Sequence, residues 1–248
     1  MSAAGWRRDH GGVSELFVLM HAPVLGPASW APVAGELTRR GHEVVVPVLT
    51  GFTGDGPPYA SALLRRLTGQ LPGGRRDVVL AVHSGAGVFA PYAADALGDR
   101  EVGVVFADAR LPPAAGNGWV VEESILPLQR GLAEEAGIVP PWPQWWPEEA
   151  VAAQFPDEAT RALVSGEAGA LPLAFFEESL PPVPPSWGTR RAGYLLFSEG
   201  YVETARQAQA RGWPVREVSG EHLHMLVDPA GVATALTDLA TELRPVRP

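Results

Sequence analysis

Short apolar runs alternate along this chain with longer segments in which apolar residues recur at helical spacing. Six of the runs are almost entirely apolar, which is typical of parallel strands buried on both faces of a sheet. They predict strands at ELFVLM (15–20), EVVVP (43–47), DVVLAV (77–82), VGVVFA (102–107), AGYLLF (192–197) and PVREV (214–218). The pattern as a whole predicts an α/β fold in which helices cover a parallel sheet.

Helical patterns fill most of the intervals between these runs. They lie at about 28–40, 61–70, 85–97, 203–211 and 229–243. Gly41, Gly98 and Gly212 stand at the ends of three of them, where helices often finish on a glycine. We therefore expect regular alternation of strand and helix on both sides of one long interruption.

That interruption lies between Leu111 and Arg191. It contains PPWPQWWP and PPVPP, and the pieces EEAVAAQF and LPLAFFEES are predicted as short helices. A structureless loop of this length is rare inside a compact domain. We therefore predict a helical cap at 111–190, inserted into a core formed by residues 1–110 and 191–248.

Composition narrows the possible chemistry. The net charge of −9 argues against broad binding to nucleic acid or to an anionic membrane. All 19 basic residues are arginine, which excludes Schiff-base and P-loop lysines, and the absence of cysteine excludes disulfides and thiolate chemistry. MSAAGWRRDHGG has no apolar segment typical of a signal peptide, and no apolar run is long enough to cross a bilayer. We expect a cytoplasmic protein with no cofactor and no metal.

The stretch VHSGAGVFA, residues 82–90, allows two interpretations. Gly85, Gly87 and Ala90 match a G-x-G-x-x-A dinucleotide loop, but such a loop normally follows the first strand of its unit, and here two strands come earlier. Alternatively, Ser84 is a nucleophile on a tight strand-to-helix turn, where small neighbours prevent clashes. The second interpretation is favoured because the dinucleotide loop leaves His83 and Ser84 without a role.

A serine nucleophile needs a base and a group that orients the base. GEHLHM follows the last predicted strand, and we favour His222 over His224 as the base. For the acid we prefer Asp108, at the end of the fourth predicted strand, and keep Glu199, after the fifth, as the alternative. Glu203 is expected on a helix surface.

Four segments together resemble the α/β-hydrolases: HAPVLGPASW, VHSGAG, VFADARLP and GEHLHM. Over residues 15–243 the chain is similar to the small lid-bearing type that includes plant hydroxynitrile lyases and methylesterases. The resemblance implies a six-stranded, mostly parallel sheet of order 2-1-3-4-5-6, without the two leading antiparallel strands of larger members. Some members carry the triad acid after the strand that follows the nucleophile helix, which supports Asp108.

The same resemblance implies an oxyanion hole built from two backbone N–H groups. Gly85 supplies one, and the loop after the first strand supplies the other. That loop reads His21-Ala22-Pro23, and proline has no N–H, so the second donor is missing at Pro23 unless Val24 provides it. A missing donor lowers transition-state stabilisation by about 3 to 4 kcal/mol.

We therefore expect a serine hydrolase that cleaves a carboxylic ester, thioester or lactone of a medium-sized apolar molecule. The expected substrate contacts are His21, Trp142, Trp145, Trp146, Phe175 and Phe176. Two alternatives stay open: a lyase or cyclase on the same scaffold, which the Pro23 departure motivates, and a non-catalytic ligand binder. The expected partner is a small molecule, with neither nucleic acid nor membrane, and the sequence assigns no oligomeric state.

Overall fold

The parallel strands form one sheet in a computed structural model that describes residues 15–71, 73, 77–98, 100, 102–133 and 135–244. All six pair in parallel, in the order β2-β1-β3-β4-β5-β6. The strands are β1 (Leu16–Met20), β2 (Glu43–Val45), β3 (Val78–His83), β4 (Val102–Ala107), β5 (Arg191–Leu196) and β6 (Val215–Glu217). The predicted α/β fold and its strand order are confirmed, and the sheet is wholly rather than mostly parallel.

Apolar side chains alternate between the two faces of the sheet, and helices cover both. On β1, Leu16, Val18 and Met20 belong to one buried cluster and Phe17 and Leu19 to another. The α-helices of the described residues are α1 (Ala31–Arg39), α2 (Tyr59–Thr68), α3 (Ala90–Ala96), α4 (Leu126–Leu132), α5 (Glu148–Ala152), α6 (Glu158–Glu167), α7 (Leu173–Phe176), α8 (Val202–Ala210) and α9 (Pro229–Glu242). Helices α1 and α9 contribute to the second cluster, while α2, α3 and α8 contribute to the first.

The predicted helices outside 111–190 are found with small shifts of their ends. The helix predicted at 85–97 is instead two pieces, a 3-10 helix at Ser84–Phe89 followed by α3. Gly41, Gly98 and Gly212 have φ values of 91°, 68° and 78°, as glycines at helix ends require.

Residues between β4 and β5 take no part in the main sheet. They form α4 to α7 and two small antiparallel sheets, which pair Asn117–Trp119 with Ser179–Pro182 and Ile138–Val139 with Leu171–Pro172. Phe175 and Phe176 of α7 join the buried cluster on the first face of the main sheet. The assignment of residues 111–190 as a separate cap remains a prediction. Across the described residues, no helix is both long enough and apolar enough to span a bilayer.

Candidate active site

Ser84 stands at the junction between β3 and the 3-10 helix that follows it. Its φ of 56° is left-handed, a conformation that is strained for a residue with a side chain. Gly87 makes this turn possible, because a Cβ built there would lie 1.9 Å from the carbonyl oxygen of Arg110. The Arg110 N–H in turn donates to the Ser84 carbonyl at 3.1 Å. The glycine-rich stretch therefore allows the loop after β4 to pack closely on the Ser84 turn.

Asp108 occupies the equivalent position at the end of β4. It is fully buried, and its φ of 43° is also left-handed. The Oδ1 atom accepts the backbone N–H groups of Phe197 at 2.8 Å and Ser198 at 3.1 Å, both just after β5. The Ser198 hydroxyl donates to Oδ2. These three donors fix the position of the carboxylate.

His222 follows β6 and lies between Ser84 and Asp108. Its Nδ1 is 2.9 Å from Asp108 Oδ2, and its Nε2 is 2.9 Å from Ser84 Oγ. With the Nδ1 proton directed to the carboxylate, Nε2 is free to accept the serine proton. The arrangement can therefore turn a hydroxyl into a nucleophile by general-base catalysis.

Two side chains from outside this chain of hydrogen bonds hold the His222 loop. His83 Nε2 donates to the His222 carbonyl at 3.0 Å, and the two imidazole rings lie 4.5 Å apart. Burial, reinforced by the nearby His222, puts the pKa of His83 well below its ordinary value, so His83 is neutral. Gln154 Oε1 accepts the N–H of Leu223 at 3.1 Å. The His222 loop is thus held by β3, through His83, and by the 111–190 segment, through Gln154.

Tyr201 covers the open face of the base. Its ring stacks parallel on the His222 ring, with centroids 4.9 Å apart. Burial raises the pKa of the Tyr201 phenol, while a hydrogen bond with Ser84 opposes the rise. The phenol stays protonated, so a neutral aromatic ring faces the His222 imidazole.

The expected oxyanion positions lie beside Ser84. Gly85, Pro23 and Val24 all line the same pocket as Ser84 and His222. A Cβ built at Gly85 would be 3.8 Å from Pro23 Cδ, so the proline ring sits directly against the turn. The Leu25 N–H donates to the Ala22 carbonyl at 3.0 Å. The Val24 N–H has no backbone acceptor among the described residues. Val24 is therefore the available backbone donor in this loop.

The pocket above Ser84 has a volume of about 540 Å³, in the range of small-molecule sites. Trp142, Trp145 and Trp146 line it, as do Phe175 and Phe176. Trp146 is 46% exposed, whereas Phe175 and Phe176 are buried. The predicted aromatic residues are therefore all brought together over the serine.

His21 is the exception among the predicted substrate contacts, and its assignment is corrected. It is completely buried and does not line the pocket. Its Nδ1 donates to the Ala22 carbonyl at 2.8 Å, and its Nε2 accepts the Leu49 N–H at 3.1 Å. Burial lowers its pKa to about 4. His21 thus anchors the loop after β1 and has no atom left for a ligand.

Neither the alternative acid nor the second histidine reaches the serine. Glu199 is exposed at the start of a short 3-10 helix, Glu199–Tyr201. The His224 ring packs near Phe197, with centroids 6.2 Å apart, and does not line the pocket. The structure therefore brings together Ser84, His222 and Asp108.

Sequence reasoning missed several side chains that complete the site. The position of Ser198 could be inferred from the sequence, because it lies just after β5 and next to the alternative acid Glu199. The positions of Tyr201, Gln154 and Gln129 could not, since each reaches the pocket through packing of distant segments.

Comparison with known proteins identifies the family. A model of the alpha/beta hydrolase family matches residues 17–235. A search of curated protein sequences found no match.

Three solved structures share the fold at low sequence identity. An extracellular alpha/beta-hydrolase from a Paenibacillus species is 17% identical, with a TM-score of 0.68 over 92% of this chain and 98% of that one. Tomato Methylketone Synthase I, complexed with 2-tridecanone, is 15% identical, with a TM-score of 0.68 over 94% and 100%. A pyrethroid hydrolase from Sphingobium faniae JZ-2 is 20% identical, with a TM-score of 0.67 over 92% and 98%. Since the family model spans most of the chain and the fold agrees, this protein belongs to the alpha/beta hydrolase family.

Proposed function

We propose that the protein is a serine hydrolase that cleaves a carboxylic ester, thioester or lactone of a medium-sized apolar molecule. The observation that carries the proposal is the hydrogen-bonded series from Ser84 through His222 to Asp108, with both contacts to the imidazole at 2.9 Å. Groups that are only structural rarely meet in this order at the ends of three strands.

The proposed reaction has two halves. Ser84 Oγ attacks the substrate carbonyl while His222 Nε2 takes its proton, and Asp108 stabilises the resulting imidazolium. His222 then returns the proton to the leaving alcohol or thiol, or to the ring oxygen of a lactone. A water molecule, activated by the same nitrogen, releases the acid. The N–H groups of Gly85 and Val24 stabilise the negative charge on the tetrahedral intermediates.

The pocket supports an apolar substrate. Its wall is rich in aromatic side chains, and its volume of about 540 Å³ suits a medium-sized molecule. Neighbours of the same fold include polyneuridine aldehyde esterase and a pyrethroid hydrolase, and tomato Methylketone Synthase I was crystallised with 2-tridecanone. In this proposal the 111–190 segment is a cap whose tryptophans close the pocket over the substrate.

Labelling with a fluorophosphonate probe, read by intact mass, tests the proposal. Wild type should gain one adduct, because an activated serine attacks the probe's phosphorus. Ser84→Ala and His222→Ala should gain none, while the surface variant Ser219→Ala should label like wild type. Retention of the adduct in Ser84→Ala, or an unlabelled wild type that turns over no ester, would overturn the assignment.

A lyase or cyclase is the second candidate function, and Pro23 is the observation that favours it. A reaction without a tetrahedral oxyanion has no need of the donor that proline removes. Product analysis in isotopically labelled water separates the two. Hydrolysis places one solvent oxygen in the released acid, whereas a lyase product carries none from this step.

A further inference from the structure

Gln129 is a buried amide in the wall of the candidate active-site pocket. Only 2% of the residue is exposed. It lies on α4, and Ile125, Leu128 and Gln129 all line the pocket. These three residues are spaced three and four positions apart, so they share one face of the helix. The amide therefore lies on the face that α4 turns to the ligand space.

The Gln129 amide oxygen has no hydrogen-bond partner among the described residues. A buried polar atom without a partner destabilises a folded protein, so such atoms are rare and need an explanation. Within the described part of the pocket wall, Gln129 is the only residue with a buried side-chain atom of this kind.

Gln154 lines the same pocket and provides the contrast. Its Oε1 accepts the Leu223 N–H at 3.1 Å, and its Nε2 contacts Glu221 Oε2 at 3.2 Å. Its amide is used up in holding the loop that carries His222. The Gln129 amide oxygen accepts no hydrogen bond from any described residue, so it is left for a ligand.

We propose that Gln129 recognises a hydroxyl group on the apolar part of the substrate, away from the scissile carbonyl. A hydroxyl can donate to Oε1 and also accept from Nε2, so one group satisfies both ends of the amide. A substrate with a methylene at that position leaves the buried oxygen unpaired and binds more weakly. The preferred substrate class is thus a hydroxylated ester, thioester or lactone with an otherwise apolar skeleton.

This inference rests on the proposed hydrolase only for the reaction, so its test measures binding. In Ser84→Ala, where cleavage is blocked, the probes are the methyl ester of a medium-chain fatty acid and its positional hydroxy isomers. Quenching of the pocket tryptophans reports affinity. At least one hydroxy isomer should bind about tenfold or more tightly than the unsubstituted ester.

The double variant Ser84→Ala/Gln129→Leu replaces the amide by an apolar group of similar size. It should bind the unsubstituted ester at least as well, and the preference should fall to about twofold or less. Ser84→Ala/Thr204→Val is the matched control: it also removes a polar group from the pocket wall, but it should keep the preference. Circular dichroism establishes that all variants are folded.

Two results would overturn the proposal: no hydroxy isomer preferred by Ser84→Ala, or a preference that survives Gln129→Leu. A wild type that hydrolyses no ester while the Gln129-dependent preference persists would instead refute the hydrolase and leave this binding site standing.

Discussion

At the scale of single residues, Asp108 and Glu199 differ in the hydrogen-bond donors that surround their carboxylates. Asp108 sits at a strand end where two N–H groups, a hydroxyl and an imidazole all point to it. Glu199 is exposed to solvent and has no such set. These donors hold the carboxylate in place, and the carboxylate in turn fixes the orientation of His222.

We predict that Asp108→Asn lowers kcat for ester hydrolysis by about four orders of magnitude. The amide nitrogen would face His222 Nδ1 and favour the wrong tautomer, leaving Nε2 protonated and unable to accept the serine proton. Steady-state kinetics on a chromogenic ester provides the measurement.

Glu199→Gln is the matched control for Asp108→Asn, because it makes the same chemical change at the alternative position. It should retain kcat within about twofold, as expected for an exposed side chain. Loss of activity in Glu199→Gln together with retention in Asp108→Asn would assign the acid to Glu199 instead.

Residue chemistry explains which site members were predictable from the sequence. Ser84 and Asp108 directly follow the apolar strands β3 and β4, and His222 lies in the loop after β6. Their nearness was predictable because parallel strands end at one edge of the sheet. Tyr201 and Gln129 reach the site from helical segments, and nothing in their local sequence marks them. The prediction that His21 contacts substrate was wrong. Residues after β1 are expected at the pocket, whereas the His21 ring is buried and hydrogen-bonds the backbone of Ala22 and Leu49.

At the scale of elements, the Ser84 turn depends on close contact between two strand ends. The 3-10 helix Ser84–Phe89 lies against the loop after β4, and Gly87 contacts the Arg110 backbone. This explains why the segment is a 3-10 helix leading into α3 rather than the single helix predicted. The Ser84 turn and the loop that bears Asp108 therefore form one packed unit.

Gly87→Ala should disrupt this unit. The new methyl group would lie 1.9 Å from the Arg110 carbonyl oxygen, so backbone must move. We expect a loss of about 1 to 3 kcal/mol in the free energy of unfolding, as for overpacked cores, and a fall in kcat because Asp108 shifts with Arg110. Urea unfolding and ester kinetics measure the two effects.

Gly166→Ala serves as the comparison for Gly87→Ala. Gly166 lies in α6, and a Cβ built there meets nothing within 4 Å. Alanine in a helix is favoured over glycine by up to about 1 kcal/mol, so this variant should be neutral or more stable with unchanged kcat. Equal stability of the two variants would argue against the close packing at Gly87.

Element prediction succeeded where the signal was local. The central strands β1, β3 and β4 are continuous apolar runs, and their positions follow from that property alone. The small sheets of the 111–190 segment pair Asn117–Trp119 with Ser179–Pro182, about 60 residues away, through stretches rich in glycine and proline. Such pairing depends on tertiary contacts, which cannot be predicted from the local sequence pattern.

At the scale of the whole molecule, the strand order places the pocket. The chain runs outward from β1 to β2 and then returns to β3 on the other side of β1, so the direction of winding changes between β1 and β3. Loops on either side of such a switch point diverge and leave a crevice. Pro23 and Val24 follow β1, and Ser84 follows β3, so the loops that carry them line the same pocket at this point.

The same central position buries two histidines that must stay neutral, which couples the stability of the fold to pH. His21 has its pKa lowered to about 4 by burial, and the pKa of His83 is lowered in the same direction. Below pH 6.5, the ordinary pKa of histidine, these histidines bind protons in the unfolded chain but not in the folded protein. The free energy of unfolding therefore falls as the pH drops through this range.

For His21 alone, the expected loss is about 2 kcal/mol between about pH 7.5 and about pH 5. Urea unfolding followed by circular dichroism at both pH values measures the total change, to which His83 adds. His21→Gln removes the titrating group while keeping a side chain able to bond the Ala22 and Leu49 backbone, so its loss over the same range should be smaller by about that amount. An identical pH dependence in wild type and His21→Gln would show that His21 binds its proton equally well in the folded and unfolded protein. Its pKa would then not be lowered by burial, which would contradict its role as a neutral anchor of the loop beside Ser84.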